Sequence, residues 1–441
     1  MVCQTDFLIA DVEPAGDIHQ GAAATGIGGY HKFDESLPVP AAHMIARNLL
    51  ARCRISLLLV LALPVVTLAL DKQAFDQTFR EELRLDGVPG GAYAIVRDGR
   101  IASLGSFGVR DADRPEPVTP ETVFRLASVS KTFAAQLTAM LVSEGSLSWD
   151  DGINRYLPDF RLKNPQQSSQ LQIRHLLGQS TGIVPNAYDN LINASQSIER
   201  IVPRFAELET MCTPGTCYTY QNVLFSLVGA AIEQSSQRGY DELLTERIFV
   251  PLNMANASSG MAGYQLAANR ARPHVRRNRG MPWVPTEVNE NYYRVSPAAG
   301  VNASAVDLGL WLLAHMGHRP DVITADQVSE ITERRVRTAR DLRRRAWRDM
   351  LTDAHYGLGW RIYTVGDEEI ILHSGWVRGF VAEIAWSPSR QVGLAVLLNA
   401  ETPALNNITT SFWRMALAEP MMMVQAEDDP SSETEPVMGG D

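Results

Sequence analysis

A serine and a lysine three residues apart, Ser128 and Lys131, constrain this chain more than any other feature. A serine hydroxyl is a weak nucleophile until a neighbouring base accepts its proton. On a helix, residues i and i+3 share a face with Cβ atoms about 5–6 Å apart, so the lysine amine can reach the hydroxyl. Burial would hold that amine partly neutral. A helix is predicted because apolar residues recur at helical spacing before a glycine cap: Val129, Phe133, Leu137, Met140, Leu141 and Gly145. The same serine also fits an ordinary helix N-cap.

A tyrosine and an asparagine two residues apart, Tyr220 and Asn222, follow a Pro-Gly-Thr turn at 214–216. An apolar helical run at 223–232 comes next. At such a junction the pair could supply a phenol for proton transfer and an amide to hold a substrate carbonyl. The alternative is a buried tyrosine with a structural partner for its hydroxyl, which is commoner for a single tyrosine.

A third segment of small residues ends a predicted strand late in the chain. Residues 368–372 predict a strand that leaves the turn at 365–367 and runs into His373, Ser374 and Gly375. A glycine here would let a substrate backbone lie against the strand edge. The alternative is an ordinary bulge or strand-end glycine.

These three segments, S-x-x-K, Y-x-N and His-Ser-Gly, occur in an order that resembles the serine β-lactamase and penicillin-binding protein superfamily. Within it the chain is similar to the branch of class C β-lactamases, D,D-peptidases and family VIII-type esterases. The resemblance covers nearly all of residues 90–418 and includes these connecting segments: 122–132, 173–177, 214–216, 251–254 and 356–360. It implies an α+β fold, with an antiparallel sheet flanked by terminal helices and a mainly helical insertion at about 125–350.

The resemblance also implies a role for each matching residue. Ser128 would be acylated, Lys131 would be its proton partner, and Tyr220 would share base duty and protonate the leaving group. Backbone amides of Ser128 and Trp376 would form the oxyanion hole. The residues implied to contact substrate are Asn222, which orients the substrate amide, His373, Ser374, Gly375 and, through the preceding segment 181–183, Asn186.

One position departs from the family pattern. The third motif of true β-lactamases begins with a lysine whose charge pairs with a substrate carboxylate, whereas His373 is mostly neutral near pH 7 unless its surroundings raise its pKa. We therefore expect an exported serine hydrolase that cleaves an amide or ester through a Ser128 acyl-enzyme without a cofactor. The enzyme would be a D,D-carboxypeptidase or endopeptidase, an esterase or a weak β-lactamase. Its substrate would be a small molecule or a peptide. A catalytically silent, cell-wall-peptide-binding member of the family is the alternative from another class.

A second serine motif, G-x-S-x-G around Ser180, fits the nucleophile elbow of the α/β-hydrolases. Asp307 and His373 follow it in the order that a catalytic triad of that class requires. The elbow needs a strand before the serine and a helix after it. Here the preceding residues 173–177 predict a short helix, and Pro185 opposes a regular helix beyond the first turn. The sequence therefore disfavours this alternative.

The rest of the chain fits a sheet with helical cover. Asp98-Gly99 predicts a hairpin turn between two strands. The predicted strands are 91–96, 100–108, 358–364, 368–373, 380–386 and 392–399. The predicted helices that can cover the sheet are 75–85 and 405–417.

Near the amino terminus, basic residues precede an apolar run, which is the pattern of a secretory signal that starts at Met44. We expect a periplasmic or secreted protein, anchored in the inner membrane if this short apolar segment is retained. The predicted divisions are an unassigned extension at 1–43 from a mis-called start, a signal peptide at 44–69, the hydrolase domain at 70–424 and an acidic disordered tail at 425–441.

Two cysteines would remain after cleavage, Cys212 and Cys217, and they flank a Pro-Gly pair that suits a type II turn. Residues flanking such a turn come within disulfide range, so a bridge would brace the loop that carries Tyr220. Two unpaired thiols are the alternative. His315 and His318 lie one turn apart without a third ligand, and the sequence contains no metal motif.

The formal net charge of −10 is concentrated in the carboxyl-terminal tail, so the body of the chain is nearly balanced. An arginine-rich segment at 334–348 is interrupted by acidic residues, which predicts a solvated helix face rather than nucleic-acid binding. Contact with anionic envelope polymers is the alternative for this segment.

Overall fold

Strands from the first and last parts of the described residues form one antiparallel sheet. The computed structural model describes residues 71–418. Its strands are β1 Gly90–Arg97, β2 Arg100–Gly108, β3 Phe124–Arg125, β4 Ser258–Ser259, β5 His274–Val275, β6 Val284–Pro285, β7 Val301–Ala303, β8 Val336–Arg337, β9 Asp353–Tyr356, β10 Arg361–Val365, β11 Glu368–Val377, β12 Phe380–Ser387 and β13 Val392–Leu398. The main sheet has the order β2-β1-β13-β12-β11-β10-β9-β8, and two small sheets have the orders β3-β7-β4 and β5-β6. The first and last strands of the described residues, β1 and β13, therefore pair with each other.

Helices occupy the terminal segments and most of the chain between β2 and β8. They are α1 Lys72–Leu85, α2 Ser130–Ser143, α3 Pro165–Gln170, α4 Ile173–Leu177, α5 Asp189–Asn193, α6 Ile198–Ile201, α7 Val223–Ser226, α8 Val228–Ser236, α9 Tyr240–Leu244, α10 Gly260–Leu266, α11 Ser296–Ala299, α12 Ala305–Leu313, α13 Ala325–Thr332 and α14 Ala404–Ala418. Short 3-10 or π turns lie at Ala127–Val129, Ile153–Arg155, Val202–Glu207, Thr245–Phe249, Asn291–Val295, Ala314–His318 and Asp341–Arg343. The fold is α+β, as the sequence predicts.

Side chains of the main sheet alternate between two hydrophobic cores. On β1, Ala92 and Ala94 belong to the core shared with the helical region, whereas Tyr93 belongs to the core under the terminal helices. Phe75 of α1 packs edge-on against Tyr93 at 4.9 Å and against Phe412 of α14 at 5.4 Å between ring centroids. Because successive residues of a strand face opposite sides, one sheet joins two separately packed layers.

The helix predicted after Ser128 is the central helix of the helical layer. α2 begins at Ser130 after the turn Ala127–Val129, and Gly145 follows its end with a φ of 75°. Twelve of its fourteen residues are buried. The helix therefore lies within the core, where its polar residues Lys131 and Gln136 have hydrogen-bond partners.

The predicted late strands are present, with two differences in their bounds. β10 begins at Arg361 rather than at 358, because the preceding loop packs on α2: Gly359 has a φ of 73°, and a Cβ there would lie 2.6 Å from the Lys131 carbonyl oxygen. β11 continues through Gly375 to Val377 rather than ending at His373. The short strands β8 and β9 carry too few residues to show a pattern and were not predicted.

The prediction of a solvated helix face at 334–348 is wrong. The segment contains β8 and the 3-10 turn Asp341–Arg343 and has no α-helix. Three of its arginines are held by acceptors in other elements: Arg334 by Glu369, Arg337 by Asp353, and Arg344 by Tyr363 and Asn406. Its apolar residues recur at helical spacing, but Trp347, with Leu342 packed beside it, lies in the core under the terminal helices, so tertiary contacts determine the conformation of the segment.

The predicted extension at 1–43, the signal peptide at 44–69 and the acidic tail at 425–441 lie outside the described residues. Within 71–418, no helix is both long and apolar enough to cross a membrane. The same residues contain no cluster of histidine, cysteine or carboxylate side chains that could hold a metal ion.

Candidate active site

A short turn fixed from two sides carries Ser128. Ala127, directly before it, has a φ of 48°, a conformation that costs a residue with a Cβ about 1–2 kcal/mol. The turn is tied to β7, because Leu126 donates its amide to the Val301 carbonyl at 3.0 Å and Val301 donates its own to Ser130 Oγ at 2.9 Å. These two bonds hold the strained turn and leave Ser128 partly exposed.

Lys131 lies one helical turn further and is fully buried. Its Nζ atom donates to Ser128 Oγ at 3.3 Å, to Asn222 Oδ1 at 2.7 Å and to the Ala298 carbonyl at 3.1 Å. Burial lowers the pKa of this amine to about 7, with the Asp189 carboxylate acting in the opposite direction. A substantial fraction is therefore the free base at neutral pH, within reach of the serine hydroxyl.

Tyr220 completes the group around the serine. Its ring centroid lies 4.8 Å from Lys131 Nζ. Burial raises the pKa of this phenol above its ordinary value, and the neighbouring Ser128 hydroxyl and the Arg361 guanidinium reduce that rise. At neutral pH Tyr220 is therefore a proton donor, whereas Lys131 is the available base.

The loop before Tyr220 is closed by a disulfide bond. Cys212 and Cys217 are bonded, with Cα atoms 6.3 Å apart, and Gly215 between them has the φ of 88° that a type II turn requires at its third position. Asn186 donates its backbone amide to the Tyr220 carbonyl at 2.8 Å, while its side chain is exposed. Asn186 thus contacts the site through its backbone and helps to position Tyr220.

The side-chain amide of Asn222 is engaged at both ends. Its Oδ1 atom accepts from Lys131, and its Nδ2 atom donates to Asp189 Oδ2 at 2.7 Å. Asn222 is 6% exposed. The structure therefore brings it to Lys131, with one amide hydrogen left for a substrate.

Two residues of the third motif do not present their side chains for substrate contact, contrary to the sequence-based expectation. His373 is 1% exposed, and its nitrogens lie 3.0 Å from the Tyr356 hydroxyl and 2.9 Å from the Ser374 carbonyl. Burial lowers the pKa of His373 well below its ordinary value, so the ring is neutral. Ser374 alternates to the other face of the sheet, where its hydroxyl donates to Glu383 at 2.7 Å.

Gly375 and Trp376 bring an open strand edge against Ser128. A Cβ on Gly375 would lie 2.0 Å from the Leu126 carbonyl oxygen and 3.1 Å from the Ser128 nitrogen, so only glycine allows this approach. Two-residue turns connect β11 to β10 and to β12, and they fix which of its residues form hydrogen bonds with each neighbouring strand. The backbone amides of even-numbered residues of β11 therefore point away from β12. Pairing with β10 stops at Leu372, so the Trp376 amide faces the open edge beside Ser128.

A further group of residues surrounds this site and was not predicted from the sequence. The Arg361 side chain is 16% exposed and donates to Asp341 at 2.6 Å, and its guanidinium carbon lies 5.9 Å from the Tyr220 ring centroid. Tyr356 holds His373, and Asp189 holds Asn222. Tyr356 begins a connecting segment that the sequence singled out, at 356–360, but no motif spacing distinguishes Asp189 or Arg361 from surface charges.

The alternative serine motif does not assemble a triad. Ser180 follows the short helix α4 and a turn, and no helix begins directly after it. Asp307 is committed to the start of α12, where it accepts from the Ser304 amide at 2.8 Å and the Asn256 amide at 3.2 Å. His373 is held by Tyr356 instead. The α/β-hydrolase alternative is therefore excluded.

Comparisons with known proteins agree with this architecture. The sequence model of the β-lactamase family matches residues 75–414. Protein flp of Staphylococcus aureus is 23% identical over 330 residues, and the match covers 74% of this chain and 63% of that protein. The unguisins hydrolase ungD' of Aspergillus campestris is 25% identical over 344 residues, covering 76% of this chain and 62% of that protein. The chain thus spans less than two thirds of the length of these relatives.

Among solved structures, an octameric penicillin-binding protein homologue from Pyrococcus abyssi has a similar fold. It superposes with a TM-score of 0.70 at 23% sequence identity, and the match covers 79% of this chain and 77% of that chain. At this identity the likeness concerns the fold.

Proposed function

Because the chain belongs to the β-lactamase family, we propose that it is a serine hydrolase that cleaves an amide or ester through an acyl-enzyme at Ser128. The observation that carries this proposal is the contact between a nucleophile and a base whose pKa suits neutral pH. Lys131 Nζ lies 3.3 Å from Ser128 Oγ, and burial lowers its pKa to about 7. General bases work best when their pKa lies near the operating pH.

Acylation begins when Lys131 accepts the Ser128 proton and Oγ forms a bond to the substrate carbonyl carbon. The carbonyl electron pair moves to oxygen, and the backbone amides of Ser128 and Trp376 stabilise the resulting oxyanion. As the bond to the leaving group breaks, Tyr220 donates its proton to the leaving amine or alcohol. Lys131 then returns its proton to Tyr220, so the site regains its starting protonation.

Deacylation uses the same groups with water in place of the leaving group. Lys131 accepts a proton from the attacking water, directly or through Tyr220, as a new bond forms to the acyl carbon. The bond to Ser128 Oγ breaks, and the serine regains a proton as the carboxylic product leaves. Each proton therefore has a donor and an acceptor within the site.

The favoured substrate has no carboxylate beside the scissile bond. Both nitrogens of His373 are engaged and its ring is neutral. Arg361, the nearby cation, is only partly exposed and is paired with Asp341. These contacts support esters and neutral amides over β-lactams and peptide carboxyl termini. A curated relative that is named a hydrolase supports the reaction class.

This function can be tested with p-nitrophenyl butyrate and a labelled penicillin, with substrate turnover and the mass of the intact protein as the two measurements. We expect ester turnover through a butyryl adduct in the native protein and loss of about 10⁴-fold or more in Ser128→Ala. Ser180→Ala is the matched control and should retain activity. Undiminished turnover in Ser128→Ala would overturn the proposal. A long-lived penicillin adduct would indicate a cell-wall peptidase, and no reaction with either probe would indicate a silent binding protein.

Export is proposed together with this function. The Cys212–Cys217 disulfide supports it, because disulfides form and persist in oxidising compartments. Fractionation of native cells followed by amino-terminal sequencing should find the protein outside the cytoplasm and beginning near residue 70. A cytoplasmic protein that retains residues 44–69 would contradict export.

A further inference from the structure

Asp189, the first residue of α5, ends a chain of hydrogen bonds that starts at the proposed base. Lys131 Nζ donates to Asn222 Oδ1 at 2.7 Å, and Asn222 Nδ2 donates to Asp189 Oδ2 at 2.7 Å. Tyr292 contacts the same carboxylate oxygen at 3.5 Å. An ammonium group and a carboxylate are thus joined by one amide. Lys131 and Asn222 are buried, whereas Asp189 is half-buried, with its Oδ1 atom shielded from solvent.

The charged groups around Lys131 have opposite effects. Arg361, at the start of β10, disfavours the ammonium form, whereas Asp189 favours it. The other titratable groups that face Lys131 are neutral at pH 7, because burial raises the pKa of Tyr220 and lowers that of His373. Asp189 is therefore the one anion in the described chain that acts appreciably on the amine.

The hydrogen bonding of Asp189 differs from that of a carboxylate in a helix cap. Asp189 Oδ1 is buried without a hydrogen-bond partner among residues 71–418. By contrast, the buried carboxylate of Asp307 accepts from two backbone amides and the Ser304 hydroxyl in a helix cap. Buried unsatisfied oxygens cost about 1–3 kcal/mol and are uncommon in native proteins. Asparagine at 189 could keep the bond to Asn222 without the buried charge, so the charge itself calls for an explanation.

We propose that Asp189 is a positioning residue for acylation, a buried anion that holds Asn222 against Lys131 and favours the charged form of that lysine between catalytic steps. This inference rests on the proposed function, in which the neutral amine takes the Ser128 proton. The ammonium formed at that moment is stabilised by the carboxylate two hydrogen bonds away. Asp189 would act through Asn222 and touch neither the substrate nor the reacting atoms.

The charge of Asp189 should shift the pH dependence of acylation in a defined direction. Burial raises its pKa to about 6, so the carboxylate is ionised above that pH and favours the protonated lysine. Asp189→Asn keeps the shape and removes the charge, which lowers the pKa of Lys131. The free amine should then persist to more acidic pH.

The experiment measures the rate at which a fluorophosphonate labels Ser128 between pH 5 and 9, with the labelled residue identified by mass spectrometry. We expect the acid limb of the Asp189→Asn protein to move to lower pH by about one unit, the lower end of typical charge effects because an amide lies between the groups. Tyr292→Phe should give a smaller shift in the same direction, since it weakens the bond that favours the carboxylate. Asp150→Asn, which removes an exposed carboxylate paired with Arg174, is the control for net charge.

Thermal unfolding checks that each variant is folded, and Tyr292→Phe keeps the test open if Asp189→Asn is not. An unchanged limb in both variants, with normal labelling at Ser128, would overturn the role of Asp189 alone. A native protein that is not labelled at Ser128 would instead remove the proposed function on which this inference rests, and the inference with it.

Discussion

The chemistry of this site depends on one lysine whose environment opposes its own charge. Lys131 Nζ has three acceptors in hydrogen-bond range, which suits an ammonium group, yet the side chain is fully buried. Burial dominates and lowers its pKa to about 7. The amine is therefore balanced between its two forms at the pH where a hydrolase would use it.

This balance predicts the pH dependence of the proposed reaction. If the free amine accepts the Ser128 proton as proposed, kcat/KM for p-nitrophenyl butyrate should rise with pH through about 7, the pKa of Lys131, and be low below it. Measuring kcat/KM between pH 5 and 9 tests this rise. Lys131→Arg is the comparison, because an arginine side chain stays protonated throughout this range. A flat profile in this range would contradict the assignment of Lys131 as the base.

Motif residues could be predicted from sequence because family patterns fix their types and spacing. The structure places Ser128, Lys131 and Tyr220 next to one another. Asp189 and Arg361 could not be predicted, because their importance comes from burial and from partners distant in the chain. Residue type alone does not distinguish a buried carboxylate from a surface one.

At the scale of elements, the site is a contact between one strand and one turn. β11 continues beyond its pairing with β10, and its free edge meets the turn at Ala127–Val129. The turn is held in a strained conformation by β7. The position of the proposed oxyanion hole therefore depends on how closely this strand edge approaches Ser128.

Gly375→Ala should separate the strand from the turn. Its Cβ would lie 2.0 Å from the Leu126 carbonyl oxygen, so the backbone must shift. We expect kcat/KM to fall by about 10²-fold, as when one oxyanion donor is lost, and stability to fall by about 1–3 kcal/mol. Enzyme assays and thermal unfolding measure the two effects.

Gly152→Ala is the matched control, because no atom lies within 4 Å of a Cβ at that position. It should change neither quantity appreciably. Native activity in Gly375→Ala would show that the close approach of β11 is not needed for catalysis.

Strands and helices with a clear apolar period could be predicted, whereas elements set by tertiary contacts could not. The hairpin around Asp98 and Gly99 has both a turn signal and alternation, and it is present as β1 and β2. The arginine-rich segment at 334–348 has neither, and it forms separate ion pairs with distant residues: Arg334 with Glu369, Arg337 with Asp353, and Asp341 with Arg361. Charge composition alone therefore gave the wrong element there.

On the scale of the whole molecule, the main sheet separates the core under the terminal helices from the layer that contains the candidate active site. The terminal helices α1 and α14 pack on one face, and the helical region with Ser128 and Lys131 lies on the other. Substitutions under the terminal helices should therefore change the free energy of unfolding without changing the reaction.

Leu83→Ala tests this division. Leu83 is fully buried in α1, so the change should cost about 2–5 kcal/mol of stability while kcat/KM at 25 °C stays near the native value. Leu85→Ala in the same helix is the control, because Leu85 is 75% exposed and should lose little stability. A large fall in kcat/KM for folded Leu83→Ala protein would show that the two faces are coupled.

The central claim, that Ser128 is the nucleophile, is tested most directly by locating a covalent adduct. The protein is treated with a fluorophosphonate, digested with trypsin and analysed by fragmentation mass spectrometry, which distinguishes Ser128 from Ser130 in the peptide 126–131. We expect one adduct, on Ser128, and none on Ser180 in the peptide 175–200. An adduct on Ser180 with Ser128 unmodified, or no adduct at all, would contradict a Ser128 acyl-enzyme.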